Sequence, residues 1–147
     1  MDAQFTTLPR PGVGVAHEYG DHVHLLSYPY PMAMLTRLCQ QQTHQPEINN
    51  LVATLYDWML GEVSSRLLRT RTIKRPNRMA AMHSEGIYQG ECIDEKQRVV
   101  VVDIARGGIL PAHRLYHGLH HIIDAEQLRQ DHIIASRTTN SDGVVLS

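Results

Sequence analysis

The sequence predicts an α/β fold, in which an N-terminal arm and helices precede a small parallel sheet. Four consecutive valines, Val99–Val102, are typical of a parallel strand covered on both faces. Two glycines, Gly107-Gly108, then lead into an amphipathic segment predicted as a helix over about Leu110 to Ile123. A second short apolar run, His132 to Ala135, completes one β–α–β unit. Because one such unit cannot bury both faces of a parallel sheet, we expect further strands from the remaining residues or from another chain.

The region before this unit is predicted to hold an arm, two helices and a β insertion. Prolines and glycines in residues 1–30 disfavour helices and predict an irregular arm. Apolar residues at helical spacing predict a short helix from Met32 to about Gln42 and a long one from Ile48 to Leu67 with one buried stripe. Residues 70–95 predict a hairpin-like β insertion. Since the chain length suits one core, residues 1–147 are assigned to a single domain.

Composition excludes several classes of protein. A net charge of -1 over 147 residues argues against a general nucleic-acid binder. No run approaches the roughly 20 apolar residues that cross a bilayer, and the first residues lack the pattern of a secretory signal, so a cytoplasmic protein without a membrane partner is expected. The two cysteines, Cys39 and Cys92, are far apart and predict neither a disulfide framework nor a zinc knuckle.

One segment carries a concentration of positive charge. It contains no acidic residue between its first and last basic residues, which are Arg66, Arg69, Arg71, Lys74, Arg75 and Arg78. Such a patch can meet phosphate, or it can be a solvated arginine face or a subunit contact. The second reading is the more common one for a run of this size.

The turn after the valine strand is the best candidate for a ligand site. It lies where open α/β sheets bind ligands, and its two glycines, Gly107 and Gly108, allow a ligand to approach the backbone. Arg106 adds a bidentate phosphate donor, and Arg137 follows the next predicted strand at the same edge. Asp103 either assists through a water or metal ion or caps the loop from a buried position. The alternative is a glycine turn that only reverses the chain.

These residues resemble a known family. The valine strand, the Asp103–Gly108 turn, the helix and the strand that ends at Arg137 resemble the middle of uracil phosphoribosyltransferases of the type I phosphoribosyltransferase group. In that family a valine-rich strand leads through Ile-Leu-Arg-Ala-Gly into a helix and then into a strand ending in Tyr-Arg. The resemblance implies that Arg106 and Arg137 contact phosphoribosyl pyrophosphate, with Gly107 and Gly108 as the backbone part of the loop. It assigns no catalytic residue and no metal ligand.

The function implied by this resemblance is pyrimidine salvage. A glycosyltransferase of this kind transfers a phosphoribosyl group from phosphoribosyl pyrophosphate to a pyrimidine base such as uracil, with Mg²⁺ as cofactor, and a homodimer is expected. The resemblance covers about the first two-thirds of a typical family member. Because the family's signature Ala-Thr-Gly-Gly loop has no counterpart here, this chain alone is expected to be inactive in transfer. The alternative is a noncatalytic phosphate-binding or regulatory interaction module.

Four histidines suggest a third function, that of a histidine-rich metal-binding protein. They are His113, His117, His120 and His121, and helical geometry places them in one stripe opposite the apolar side of their predicted helix. Pairs separated by four residues can bind zinc or nickel, with Asp124 or another subunit adding a ligand. A solvated or interfacial polar face is the commoner outcome for such a stripe, because metal sites usually take ligands from a second element.

Overall fold

The structure, a computed structural model, describes residues 16–136 and residue 138. Within these residues, three helices, four strands and a short 3-10 helix follow one another. They are α1 (Pro29–Leu38), α2 (Glu47–Leu67), β1 (Thr70–Pro76), β2 (Ile87–Ile93), β3 (Val99–Ala105), α3 (Ile109–Leu119), the 3-10 helix Ala125–Gln127 and β4 (Leu128–Ile134). The predicted α/β class is therefore confirmed.

The chain divides into two compact units, Met1–Leu55 and Tyr56–Ser147. In the first unit, residues 16–28 form neither helix nor strand, in agreement with the predicted arm over its described part. Helix α1 begins at Pro29, because a proline in the first turn lacks only an N–H that would have no partner there. It ends at Leu38 and not near Gln42 as predicted. The Thr43 hydroxyl donates a 2.6 Å hydrogen bond to the Arg37 carbonyl and closes the chain into a turn.

Helix α2 spans 21 residues and confirms the predicted long helix almost to the residue. Its predicted buried stripe is only partly present. Within the described residues, Met59, Val63 and Leu67 are exposed, and most of the other apolar side chains of the helix are half-buried. The spacing of apolar residues therefore predicts the position of the helix correctly but overestimates how much of its apolar surface is buried.

Strands β1 and β2 form the predicted hairpin. They pair antiparallel from Thr70 opposite Ile93 to Pro76 opposite Ile87. The connection is closed by the Asn77 N–H, which donates to the Gly86 carbonyl at 2.9 Å. A Cβ at Gly86 would stand 2.6 Å from the backbone nitrogen of Ala80, so this tight turn requires glycine.

Strands β3 and β4 are parallel neighbours, and α3 covers one of their faces. Their register runs from Val99 opposite Leu128 to Ala105 opposite Ile134. The core on the α3 side is formed by Leu119, Ile123 and Leu128, against which Val99 and Val101 pack. The predicted β–α–β unit is confirmed in type and order.

Two boundaries of this unit differ from the prediction. Helix α3 ends at Leu119 and not at Ile123, because the N–H groups of His121 and Ile122 donate to carbonyls only three residues back. Strand β4 begins at Leu128, four residues before the predicted start at His132. Its first residues include Arg129 and Asp131, whose side chains form a 2.6 Å ion pair. Alternate residues of a strand lie on the same face, so these two charged side chains can pair there. The polarity of the sequence alone does not indicate this pairing.

The predicted burial of the valine strand on both faces is wrong. Val100, Val102 and Ile104 are 54%, 52% and 62% exposed, whereas their neighbours in sequence are half-buried or buried. Within residues 16–136, the sheet that holds β3 has two strands, and α3 contacts only one of its faces. Ile133, which is also exposed, continues this outer face onto β4.

None of the described helices combines the length and the apolar character needed to cross a bilayer.

Candidate functional site

The candidate site is the turn that joins β3 to α3, residues Ala105–Gly108. The Gly108 N–H donates back to the Ile104 carbonyl at 3.1 Å, and the Ile109 N–H donates to the Arg106 carbonyl at 3.2 Å. The Gly108 carbonyl then accepts from Ala112 at 2.9 Å and opens the helix. The strand thus passes into the helix without a long loop, at the carboxyl end of the sheet.

The two glycines of this turn have different surroundings. A Cβ at Gly108 would stand 2.9 Å from both the Asp103 Cβ and the Ile104 carbonyl oxygen, so the turn closes over β3 only with glycine there. A Cβ at Gly107 would meet nothing within 4 Å. Gly107 therefore leaves the backbone open to approach from outside, as a bound anion requires.

Arg106 is the basic residue of this turn. It is exposed, and no described side chain forms a hydrogen bond or ion pair with it. By contrast, Arg114 binds Asp57 through two nitrogens. Arg106 therefore presents a free guanidinium at the end of β3.

Arg137, the second predicted phosphate contact, lies outside the described residues. What the structure establishes is the arrangement of the strands before it. Ile134, the last residue of β4, is the register partner of Ala105, so the two strands end side by side at the edge that carries Arg106.

A pair that the sequence reasoning did not find lies directly below the turn. Asp103 is buried, and its Oδ2 lies 2.7 Å from Nδ1 of His132, its register partner on β4. The other carboxylate oxygen, Oδ1, is also buried and has no hydrogen-bond partner among the described residues. Asp103 is therefore buried, as one of its two expected roles requires, but its carboxylate bonds to His132 and does not cap the loop. Finding His132 from sequence would have required the register between strands 29 residues apart.

The histidines of α3 do not form the predicted stripe. The helix ends at Leu119, so His120 and His121 follow it. The His120 ring packs edge-on against Tyr116 with centroids 4.5 Å apart, and Tyr116 belongs to the predicted apolar side. His113 and His117 do lie together, with ring centroids 5.0 Å apart. Within the described part of the chain, no three histidine, cysteine or acidic residues are grouped so that they could hold a metal ion.

Two arginines in the middle of the basic segment are paired with acids from outside it. Arg71 binds Asp94 at 3.3 Å and Glu95 at 2.8 Å, and Arg75 binds the other oxygen of Glu95. The hydrogen bond between Arg75 and Glu95 raises the pKa of the Arg75 guanidinium and lowers the pKa of the Glu95 carboxyl. These acids follow β2, and the hairpin brings them back to β1. A solvated arginine face is the better description of this patch.

Two cavities lie away from the turn. One of about 360 Å³ is lined by residues that include Arg75, Cys92 and Glu95. Another of about 400 Å³ is lined by residues that include Asp57 and His117. Neither is lined by a residue of Ala105–Gly108.

Comparison with known proteins identifies a shared fold. No family model matches the chain, and no curated protein does. Among solved structures, the chain is similar to the AQ2163 protein from Aquifex aeolicus, with a TM-score of 0.50 and 14% sequence identity over 83% of this chain. The match covers 52% of that protein, so the chain spans about half its length. At this identity the similarity supports the α/β fold alone.

Proposed function

We propose that the protein is a uracil phosphoribosyltransferase-like protein, which transfers a phosphoribosyl group from phosphoribosyl pyrophosphate to a pyrimidine base. The observation that carries the proposal is the free, exposed Arg106 on a glycine turn at the carboxyl end of a parallel strand. Open α/β sheets bind ligands at this end, and the turn leads into the N-terminus of α3, which favours an anion. A diphosphate is the ligand class that suits a guanidinium beside an open backbone.

The chemistry would be mainly electrostatic. A ring nitrogen of the base attacks C1 of the phosphoribosyl group, and pyrophosphate leaves as positive charge develops on the sugar. Arg106 and the open backbone at Gly107 stabilise the negative charge of the departing group. Arg137, carried over from the family resemblance, would add a second guanidinium.

The Mg²⁺ ion implied by the resemblance would take its ligands mainly from the phosphates of phosphoribosyl pyrophosphate. Mg²⁺ takes oxygen ligands, usually one or two carboxylates together with phosphates and waters. The only carboxylate in residues 103–108 belongs to Asp103, which is buried and bonded to His132. We therefore assign Mg²⁺ no ligand from this turn and no separate step.

A homodimer and a cytoplasmic location belong to the same proposal. The exposed apolar residues of α2, which include Met59 and Val63, support a contact with a second copy. A cytoplasmic location follows from the substrate, because a multiply charged sugar phosphate does not cross a membrane unaided.

Calorimetric titration with phosphoribosyl pyrophosphate and Mg²⁺ tests this function. Arg106→Ala should weaken binding by about tenfold to a hundredfold, because a charge-assisted contact to phosphate is lost. Arg75→Ala is the matched control, since Arg75 is exposed but already paired with Glu95. It should leave the affinity nearly unchanged. Equal losses in the two variants, or no binding by the unaltered protein, would contradict the proposed function.

A further inference from the structure

Asp103 and His132 form an isolated couple below the turn. The Asp103 side chain is 4% exposed, and its only described hydrogen-bond partner is the His132 ring, which is 48% exposed. Burying a carboxylate costs free energy unless a partner compensates it. Loss of the hydrogen bond to His132 would therefore destabilise the buried Asp103 side chain.

This hydrogen bond determines which ring nitrogen of His132 is free. An ionised carboxylate only accepts hydrogen bonds, so Nδ1 of His132 must donate to Asp103. In the neutral imidazole, Nε2 then carries the lone pair. An imidazole held by a buried carboxylate, with its other nitrogen accessible, is the arrangement that enzymes use for a proton acceptor.

The couple lies at the end of the sheet that carries Arg106. Asp103 is two residues from Ala105, the end of β3, and His132 is two residues from Ile134, the end of β4. The Asp103 Cβ lies 2.9 Å from the position that a Cβ of Gly108 would take, so the Asp103 side chain begins directly beneath the turn. A ligand seated on the turn would therefore lie at the same end of the sheet as the His132 ring.

We propose that His132 accepts the proton that the nucleobase must lose, and that Asp103 is its positioning residue; this inference rests on the proposed function. As the ring nitrogen of the base bonds to C1 of the phosphoribosyl group, the C1–O bond breaks and its electron pair leaves with pyrophosphate. The proton on that ring nitrogen passes to Nε2 of His132. The resulting imidazolium is paired at once with the Asp103 carboxylate. The ligand class is thus a base with a weakly acidic ring N–H, such as uracil.

The test separates proton transfer from binding. In His132→Asn, the amide N–H can still donate to Asp103, but no basic nitrogen remains. His113→Asn is the control, because His113 is an exposed histidine of α3 whose described contact is the His117 ring. Three quantities are measured: the nitrogen chemical shifts of the His132 ring in the free protein, the calorimetric affinity for phosphoribosyl pyrophosphate with Mg²⁺, and the rate of transfer to uracil by a form of the protein that carries the family's Ala-Thr-Gly-Gly loop.

We expect the spectrum of the unaltered protein to show His132 with its proton on Nδ1. His132→Asn should bind phosphoribosyl pyrophosphate within about twofold of the unaltered protein, since Arg106 and the turn are intact. Its kcat should fall by about a hundredfold or more with little change in KM, which is the usual contribution of a general base. His113→Asn should match the unaltered protein in all three measurements.

A proton on Nε2 of His132, or a His132→Asn variant that keeps its kcat, overturns this inference and leaves the proposed function standing. An unaltered protein that fails to bind phosphoribosyl pyrophosphate, or a form that carries the family's Ala-Thr-Gly-Gly loop and still fails to transfer the phosphoribosyl group, overturns the transferase function, and the role of His132 falls with it.

Discussion

Gly107 and Gly108 are adjacent, yet they are glycine for different reasons. At Gly108 the backbone passes so close to Asp103 and Ile104 that a methyl group has no room. At Gly107 a methyl group would stand in open space. Gly108 is therefore needed for the fold of the turn, whereas Gly107 is needed only if a ligand approaches it.

Alanine at each glycine separates these two roles. Gly108→Ala should lower the free energy of unfolding by about 1–3 kcal/mol, because the new methyl group clashes with backbone atoms that cannot move easily. Gly107→Ala should change it by less than about 0.5 kcal/mol, as expected for an exposed position. Urea unfolding of the two variants measures the difference. Similar losses at both positions would show that the turn is packed differently.

Strand β3 has one face toward α3 and one toward solvent. Val101 packs against the core, while Val102 is 52% exposed. The same strand therefore contains neighbouring valines in contrasting environments. This alternation is what a parallel strand has when a helix covers only one face of its sheet.

Threonine has nearly the shape of valine and tests which face is covered. Val101→Thr should lower the free energy of unfolding by about 1–3 kcal/mol, because a hydroxyl is placed among apolar groups. Val102→Thr should cost less than about 0.5 kcal/mol, because its hydroxyl remains in water. Chemical denaturation of both variants gives the comparison. A cost at Val102 as large as that at Val101 would mean that the outer face is covered in solution.

The hairpin brings acidic residues to part of the basic segment. Arg71 and Arg75 are four residues apart, which is two periods of a strand, so both lie on one side of β1. The chain returns through β2 and delivers Asp94 and Glu95 to that side. Arg106 lies outside this basic segment. Its guanidinium is free, and it stands next to the open backbone at Gly107.

Much of the fold was predictable because it depends on local signals. Prolines, glycines and apolar spacing located α2, the hairpin and the β3–α3–β4 order. The start of β4 was missed because Arg129 and Asp131 look like a loop, and only in the strand do they pair with each other. Coverage of β3 was overestimated because a valine run does not specify how many layers surround it.

The candidate site was predictable only in part. The turn and Arg106 could be recognised because they are contiguous in sequence. The Asp103–His132 couple could not, since it depends on the parallel register of two strands. Arg137 was predicted from the same adjacency of strands and stays a prediction, because it lies outside the described residues.

The molecule as a whole offers several surfaces to an anion. The turn after β3 carries a free arginine, the hairpin carries paired ones, and α3 is followed by exposed histidines. The chain also spans only 52% of the AQ2163 protein, so the shared fold does not by itself select one of these surfaces. The turn after β3 is the surface that combines an open backbone, a free charge and a position at the end of the sheet.

A map of backbone amide chemical shifts during titration with inorganic pyrophosphate tests this selection most directly. We expect the largest shifts, which should saturate, at Arg106, Gly107 and Gly108, with small shifts at Arg71 and Arg75. Shifts concentrated on the hairpin or the α3 histidines, with the Gly107 and Gly108 amides unmoved, would contradict it.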